Sequence, residues 1–209
     1  MTKILGSAIG QPVAVDDFFP FRGPARVRHA ATVTAHKILV VYASEAGSTR
    51  QIAEFIAALL ADIGFSVDVR SIVTEPDPDE YAAVVIGSAI HQRAWLPAAV
   101  HYAYRHLRHL TNKPVWMFSV GLGPALRGPV GRWLGARVPR SIATVRDVVS
   151  PRDYREFAGV WDRAQTSVIS RVVYRAMGGP GYGDLRDWST IASWAKDIAD
   201  QLKAQFSSL

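Results

Sequence analysis

The most constraining feature of this chain is a continuous apolar run that leads directly into a helical pattern. Residues 38–43 read Ile-Leu-Val-Val-Tyr-Ala, which is typical of a strand buried on both faces of a parallel sheet. After a short loop, apolar residues recur at helical spacing from Ile52 to Ile63, and Gly64 provides a stop signal. A strand followed at once by a helix is the first half of a βαβ unit.

The same alternation continues along the chain. The pattern predicts further strands over 65–69, 81–87, 115–120 and 157–161, and further helices over 96–110 and 188–206. Strands that alternate with helices indicate an α/β fold, a doubly wound parallel sheet. We therefore expect one domain over 36–209. Residues 1–35, where glycine and proline recur without periodicity, are expected to form an N-terminal extension.

The composition narrows the possible chemistry. The chain has no cysteine, which excludes disulfides, thiolate metal sites and iron–sulfur clusters, so any redox chemistry requires a bound cofactor. No apolar stretch is long enough for a signal-peptide core or for a bilayer-spanning helix. We therefore expect a cytoplasmic protein, soluble or peripheral at the inner face of the cell membrane.

The positive charge is concentrated in one segment. Eleven arginines and six acidic residues lie between Pro124 and Asp187, so this segment carries +5 of the net charge of +6. Such a concentration indicates either an anionic partner or a solvated arginine-rich surface, and both interpretations stay open. Aromatic residues are not interleaved with the arginines as a stacking array, so we expect no nucleic-acid partner.

The loop after the first strand carries the strongest chemical signal. It reads Ser-Glu-Ala-Gly-Ser-Thr-Arg-Gln over 44–51, where backbone N–H groups, three hydroxyls and the positive end of a helix converge on a site suited to a phosphate. Gly47 lets the backbone turn close to the ligand. Ser48 with Gln51 also fits a capping box, which is the purely structural alternative. The candidate cofactor-binding residues here are Ser44, Glu45, Ala46, Gly47, Ser48 and Thr49.

The loops after the strands predicted over 81–87 and 115–120 complete the predicted site, because ligands of doubly wound sheets bind at the carboxyl ends of the strands. Small residues in these two loops allow main-chain amides to approach the edge of an aromatic cofactor ring. His91 could equally be a surface histidine, so no catalytic residue is assigned. The candidates are Ser88, Ala89, Ile90, His91, Ser119, Val120, Gly121, Leu122 and Gly123.

The first loop resembles the flavodoxin phosphate loop, Thr-x-Thr-Gly-x-Thr, with Ala46 in place of the middle hydroxyl. From Lys37 to about Leu202 the chain resembles the menaquinone-dependent protoporphyrinogen oxidase family, a long-chain branch of the flavodoxins. The segments that carry this resemblance are 44–50, 87–90 with Pro97, 118–120, 157–159, 177–179 and 187–188. The resemblance implies a flavodoxin-like five-stranded sheet of order 2-1-3-4-5, bound FMN, and electron transfer from protoporphyrinogen IX to a quinone.

The resemblance also implies an inserted helix before the last helix, and residues 162–187 occupy that place. A basic helix over 163–177 has an apolar stripe, which is consistent with binding to a membrane surface or with packing on the domain core. Arg127, Arg132 and Arg137 are candidates for pairing with the carboxylates of a substrate or with headgroups.

We therefore predict an FMN-dependent oxidoreductase that couples a small-molecule substrate to a quinone. Three alternatives stay open. One is an electron-transfer flavodoxin, although such shuttles are usually acidic and this chain has a pI near 9.8. The others are a protein that uses the deazaflavin F420 in place of FMN, and a non-catalytic binding module.

Overall fold

The computed structural model describes residues 36–129, 138–161, 172, 174–176 and 178–207. The predicted extension over 1–35, Arg132, Arg137 and most of the predicted helix over 163–177 lie outside them. The strands are β1 Lys37–Ala43, β2 Ser66–Ser71, β3 Ala83–His91, β4 Ala94–Trp95, β5 Val115–Gly121, β6 Asp153–Ala158, β7 Val160–Trp161 and β8 Gly183–Asp184. The helices are α1 Ser48–Asp62, α2 Pro97–Arg105, α3 Leu107–Leu110, α4 Arg140–Val149 and α5 Trp188–Phe206.

The five long strands form a parallel sheet of order β2-β1-β3-β5-β6, and β4 makes the sheet six-stranded rather than five-stranded. The predicted α/β fold with a mostly parallel sheet is confirmed. Two short strands, β4 and β8, were not predicted. Strand β4 pairs antiparallel with the end of β3, and β7 and β8 form a separate two-stranded sheet. Gly159 separates β6 from β7, so the segment predicted as one strand over 157–161 contains the end of one strand and the whole of another.

Helices cover both faces of this sheet because each presents one apolar stripe. On one face, α1 packs with Ile52, Ile56 and Leu60 fully buried, and α5 packs beside it. The other face is covered by α2 and α4, whose Tyr102 and Ile142 are buried against the second core. Burial of each large aliphatic side chain contributes about 1.5–3 kcal/mol to the free energy of unfolding.

The helices differ from the sequence prediction in two places. The helix predicted over 96–110 is divided at His106, whose backbone (φ −100°, ψ 15°) leaves the helical region between α2 and α3. Helix α4 was not predicted, although its buried Ile142, Val145 and Val149 recur at intervals of three and four residues. That spacing is the helical signal that could have revealed it.

The register of the sheet aligns the carboxyl ends of its strands. Ala43 pairs with Ser88, Ser88 with Ser119, and Ser119 with Glu156, so these four residues form one row across β1, β3, β5 and β6. Parallel strands in register place the loops that follow them side by side at the carboxyl ends of the strands, which we call the carboxyl edge of the sheet. The predicted site loops therefore lie together at this carboxyl edge.

Candidate functional site

The loop after β1 is closed by its own side chain. Ser44 Oγ accepts a hydrogen bond of 3.0 Å from the main-chain N–H of Gly47, and Gly47 adopts a left-handed conformation with φ of 88°. Helix α1 then begins at Ser48 without any side-chain cap. The capping-box alternative is therefore wrong, because the Gln51 side chain accepts a hydrogen bond from Arg186 instead.

This arrangement leaves hydrogen-bond donors at the start of α1. Gln51 donates its N–H to the Gly47 carbonyl, whereas the N–H groups of Ser48, Thr49 and Arg50 have no acceptor in the part of the chain that the structure describes. The Thr49 hydroxyl is fully buried and likewise has no partner among the described residues. A Cβ atom built on Gly47 would meet nothing within 4 Å. Unsatisfied donors at a helix N-terminus beside open space form an anion site.

Residues Glu45 and His91 join the first loop to the loop after β3. His91 Nδ1 lies 3.3 Å from Glu45 Oε2, and both side chains are more than half exposed. Ala46, which stands where the flavodoxin pattern has a hydroxyl, is exposed at the same edge. Two of the three loops predicted to form the site are therefore in direct contact.

The loop after β3 is a two-residue hairpin. Ile90 pairs with Trp95 and His91 with Ala94, and both turn residues, Gln92 and Arg93, have positive φ angles of 47° and 64°. Glycine or asparagine normally occupies such positions, so this turn is strained. Ser141 at the start of α4 supports it by donating a hydrogen bond of 3.1 Å to the Arg93 carbonyl.

The predicted site residues Ser88 and Ser119 direct their hydroxyls into the protein. Ser88 Oγ accepts from the N–H of Leu96 and donates to the Ala89 carbonyl. Ser119 Oγ accepts from the indole N–H of Trp95 at 2.6 Å. Both serines are fully buried, so the groups that these loops present at the edge belong to the main chain.

The loops after β5 and β6 also meet here. Gly159 donates its N–H to the Gly121 carbonyl, and a Cβ atom on Gly159 would lie 3.1 Å from Val120 and 3.4 Å from Ser48 Oγ. A Cβ on Gly121 would lie 3.2 Å from the Ile90 side chain. Sequence reasoning did not place Gly159 in the site, although a glycine directly after the last parallel strand was a signal for it.

The insertion packs against the loop after β5. The Tyr174 hydroxyl donates to the Leu122 carbonyl at 3.3 Å, and Tyr174 packs with Leu126 and Trp161 in a small separate core. The N–H of Arg127 donates to the carbonyl of Gly178, whose φ is 82°. A Cβ on Gly178 would meet the Arg127 carbonyl oxygen, which explains why position 178 needs glycine. Of the predicted apolar stripe, the structure describes Val172 alone, and its side chain is exposed.

An open groove of about 390 Å³ lies between the insertion and the loop after β5. The nearly buried Arg186 side chain lines it, donating to both carboxylate oxygens of Asp184 and stacking on the Trp188 ring. The hydrogen bond from Arg186 lowers the pKa of Asp184. The remaining lining residues are Pro124, Ala125, Leu126, Arg127, Pro180 and Leu185.

Among the described residues, no cluster of His, Asp or Glu side chains could hold a metal ion.

Comparison with known proteins identifies the fold independently of this geometry. Residues 39–171 match the model of the flavodoxin domain family. The chain is 27% identical over 184 residues to the protoporphyrinogen IX dehydrogenase [quinone] of Escherichia coli K12, and the alignment covers 78% of this chain and 94% of that protein. The corresponding protein of Escherichia coli O157:H7 gives the same values.

Solved structures show the same fold. A flavodoxin from the domain Archaea is 18% identical, with 80% of this chain and 99% of that chain covered and a TM-score of 0.51. The rubredoxin:oxygen oxidoreductase of Desulfovibrio gigas is 17% identical with a TM-score of 0.53, and the match covers 81% of this chain and 37% of that one.

The residues present at the carboxyl edge are compatible with FMN. A phosphate at the start of α1 would supply the acceptor that the buried Thr49 hydroxyl and the N–H groups of 48–50 lack. The glycines at 121 and 159 keep side chains away from the edge where the loops converge. The chain belongs to the flavodoxin domain family, and its cofactor is FMN.

Proposed function

We propose that this protein is a quinone-linked, FMN-dependent dehydrogenase whose hydrogen donor is a porphyrinogen-type molecule. The observation that carries the proposal is the groove between the insertion and the loop after β5, next to the carboxyl edge of the sheet. An electron-transfer flavodoxin that only exchanges electrons at the exposed edge of its flavin ring does not need such a groove. The near full-length similarity to the protoporphyrinogen IX dehydrogenase supports the same class of donor.

The proposal gives the three loops distinct roles. We propose that the first loop binds the phosphate, and that main-chain groups of 88–91 and 119–123 flank the ring. When bound, FMN supplies hydride acceptance and the later release of electrons. Arg127 lines the groove, and its exposed guanidinium has no acidic partner among the described residues. It would bind a substrate carboxylate, because a guanidinium matches carboxylate geometry.

Membrane binding is part of the proposal, because long-chain quinones reside in lipid. Arg93, Arg127, Arg140 and Arg175 are exposed on segments near the carboxyl edge, and none has an acidic partner in the described residues. A cationic surface of this kind attracts anionic headgroups. No helix within the described residues has the length and apolarity to cross a bilayer. We propose peripheral association by the domain over 36–209, with 1–35 as a separate extension.

The decisive experiment is an anaerobic assay of the FMN-loaded full-length protein with protoporphyrinogen IX and menadione. We expect porphyrin fluorescence to rise only when protein and quinone are both present. Arg127→Ala should raise the KM for the porphyrinogen and leave the KM for menadione unchanged. If no porphyrin forms while the protein still accepts electrons from a flavodoxin reductase, the proposal fails and the electron-shuttle alternative takes its place.

A further inference from the structure

A chain of hydrogen bonds runs beneath the site, from the hairpin to the edge of the sheet. The indole N–H of Trp95 donates to Ser119 Oγ at 2.6 Å. Ser119 Oγ lies 2.8 Å from the Tyr154 hydroxyl, which donates to Glu156 Oε1 at 2.7 Å. The three bonds join β4, β5 and β6 through side chains alone.

The direction of these bonds follows from their ends. An indole N–H can only donate, and an ionised carboxylate can only accept. Ser119 must therefore donate to Tyr154 if Tyr154 donates to Glu156, and every member is satisfied only in that one order. A chain with a charged acceptor at its end is stronger than one between neutral groups.

These hydrogen bonds are shielded from water most strongly at the hairpin end. Trp95 and Ser119 are buried, whereas Tyr154 and Glu156 are half-buried, with Tyr154 packed on the core beneath α2 and α4. Burial raises the pKa of Glu156 and that of Tyr154. A polar group that loses its partner in such surroundings lowers the stability of the fold. The loss of one of these hydrogen bonds therefore also weakens its neighbours.

At the Trp95 end of these hydrogen bonds, the hairpin over 90–95 is held from two sides. Ser88 and Ser119 are register partners on β3 and β5. Ser119 holds the Trp95 ring, while Ser88 accepts from the N–H of the next residue, Leu96. Trp95 pairs in turn with Ile90, whose side chain packs against Gly121.

We propose that Ser119, Tyr154 and Glu156 are positioning residues for the hairpin over 90–95. They act through Trp95 and hold the main chain of 89–91 in the place where it flanks the cofactor. The strained turn at Gln92 and Arg93 gives a reason for such an anchor, because backbone strain persists only where surrounding contacts overdetermine it. This inference rests on the proposed contacts of 89–91 with FMN.

The test compares two tyrosine variants of the full-length protein. Tyr154→Phe removes the hydroxyl that joins Ser119 to Glu156. Tyr102→Phe removes another part-buried hydroxyl, which donates to the Pro76 carbonyl and takes no part in the Trp95–Glu156 hydrogen bonds. Burial raises the pKa of Tyr102 as well. Amide hydrogen exchange of residues 90–96 is measured without FMN, and FMN affinity is measured by fluorescence titration.

We expect Tyr154→Phe to speed exchange in 90–96 about five- to ten-fold and to weaken FMN binding by a similar factor, the usual effect of losing one buried hydrogen bond. Tyr102→Phe should change neither quantity. Glu156→Gln keeps an acceptor oxygen and should retain most of the protection, whereas Glu156→Ala should not. Equal exchange in the two tyrosine variants would overturn the proposal.

Two further results separate the possible failures. Should Tyr154→Phe not fold, Ser119→Ala cuts the same chain with little change in volume and is expected to give the same exchange pattern. Unchanged protection in Ser119→Ala would contradict the positioning role. If no form of the protein binds FMN, the cofactor site fails, while the exchange experiment without FMN still decides whether the chain of bonds anchors the hairpin.

Discussion

Glu45 and His91 lie 3.3 Å apart, from Oε2 to Nδ1, at the point where the loops after β1 and β3 meet. Glu45 lies in the loop after β1 and His91 is the last residue of β3, and the parallel register of the two strands brings them together. The Glu45 carboxylate therefore belongs to the loop that we expect to bind the FMN phosphate.

The charge of Glu45 should oppose phosphate binding. Glu45→Gln is expected to tighten FMN binding about two- to five-fold at low salt, because it removes a negative charge near an anion, and the gain should vanish in 1 M salt. Stability should change by less than about 0.5 kcal/mol, since the Glu45–His91 pair is exposed.

Fluorescence titrations with FMN at two salt concentrations measure the change in affinity. Glu54→Gln, which removes the acid of the Arg50–Glu54 pair on α1, is the control. Weaker FMN binding by Glu45→Gln would show that Glu45 itself contacts the cofactor.

Thr49 offers a test in which stability and binding change in opposite directions. Thr49→Val is nearly isosteric and removes a buried hydroxyl that lacks a partner among the described residues. We expect the protein without FMN to gain up to about 1 kcal/mol in free energy of unfolding. FMN affinity should fall at least about ten-fold, because a hydrogen bond to a charged phosphate is lost. Urea unfolding and FMN titration measure the two effects, with exposed Thr144→Val as control. A loss of stability with unchanged affinity would contradict the assignment.

Gly178 should be required for the insertion to pack on the loop after β5. Gly178→Ala would place a Cβ against the Arg127 carbonyl oxygen at a residue with φ of 82°. We expect a loss of about 2 kcal/mol in stability and faster proteolysis within 162–187, from backbone strain and overpacking. Gly181→Ala is the matched control, since a Cβ there meets nothing within 4 Å. Similar proteolysis of the two variants would be inconsistent with this packing.

The cap of α5 should make stability depend on acid pH. Hydrogen bonds from the side chains of Ser189 and Thr190, followed by the Thr190 main chain, lower the pKa of Asp187 to about 2. A lowered pKa in the folded state means that the ionised form stabilises the fold above the unfolded value near 3.9. That contribution is lost as the pH falls toward about 2.

Asp187→Asn keeps an oxygen acceptor at the cap but no longer titrates. Thermal melts from pH 7 to pH 2 should therefore show the wild type more stable at neutral pH and the two proteins converging below pH 4. A constant difference would rule out Asp187 as the source.

Much of the architecture follows from local patterns. The apolar runs at 38–43 and 115–120 lie in β1 and β5, and the helix predicted over 188–206 matches α5. The glycine and hydroxyl pattern of 44–51 located the loop whose donors lack a partner in the described part of the chain. Each of these signals concerns one element and its immediate neighbours, where the periodicity of burial is written directly in the order of residues. The break at His106 has no such signal, because neither glycine nor proline marks it.

What the sequence by itself determined is therefore four of the five parallel strands, helices α1 and α5, and the loop whose main-chain donors lack acceptors among the described residues. Only the tertiary structure decided which side chains meet around that loop. It paired Glu45 with His91, set Gly159 beside Ser48, locked Gly178 onto Arg127, and joined Trp95 to Glu156 through Ser119 and Tyr154. The physical reason is one of range. Periodicity reports which side of an element is buried, whereas a hydrogen bond or an ion pair between loops depends on the register and spacing of strands that lie far apart in the chain.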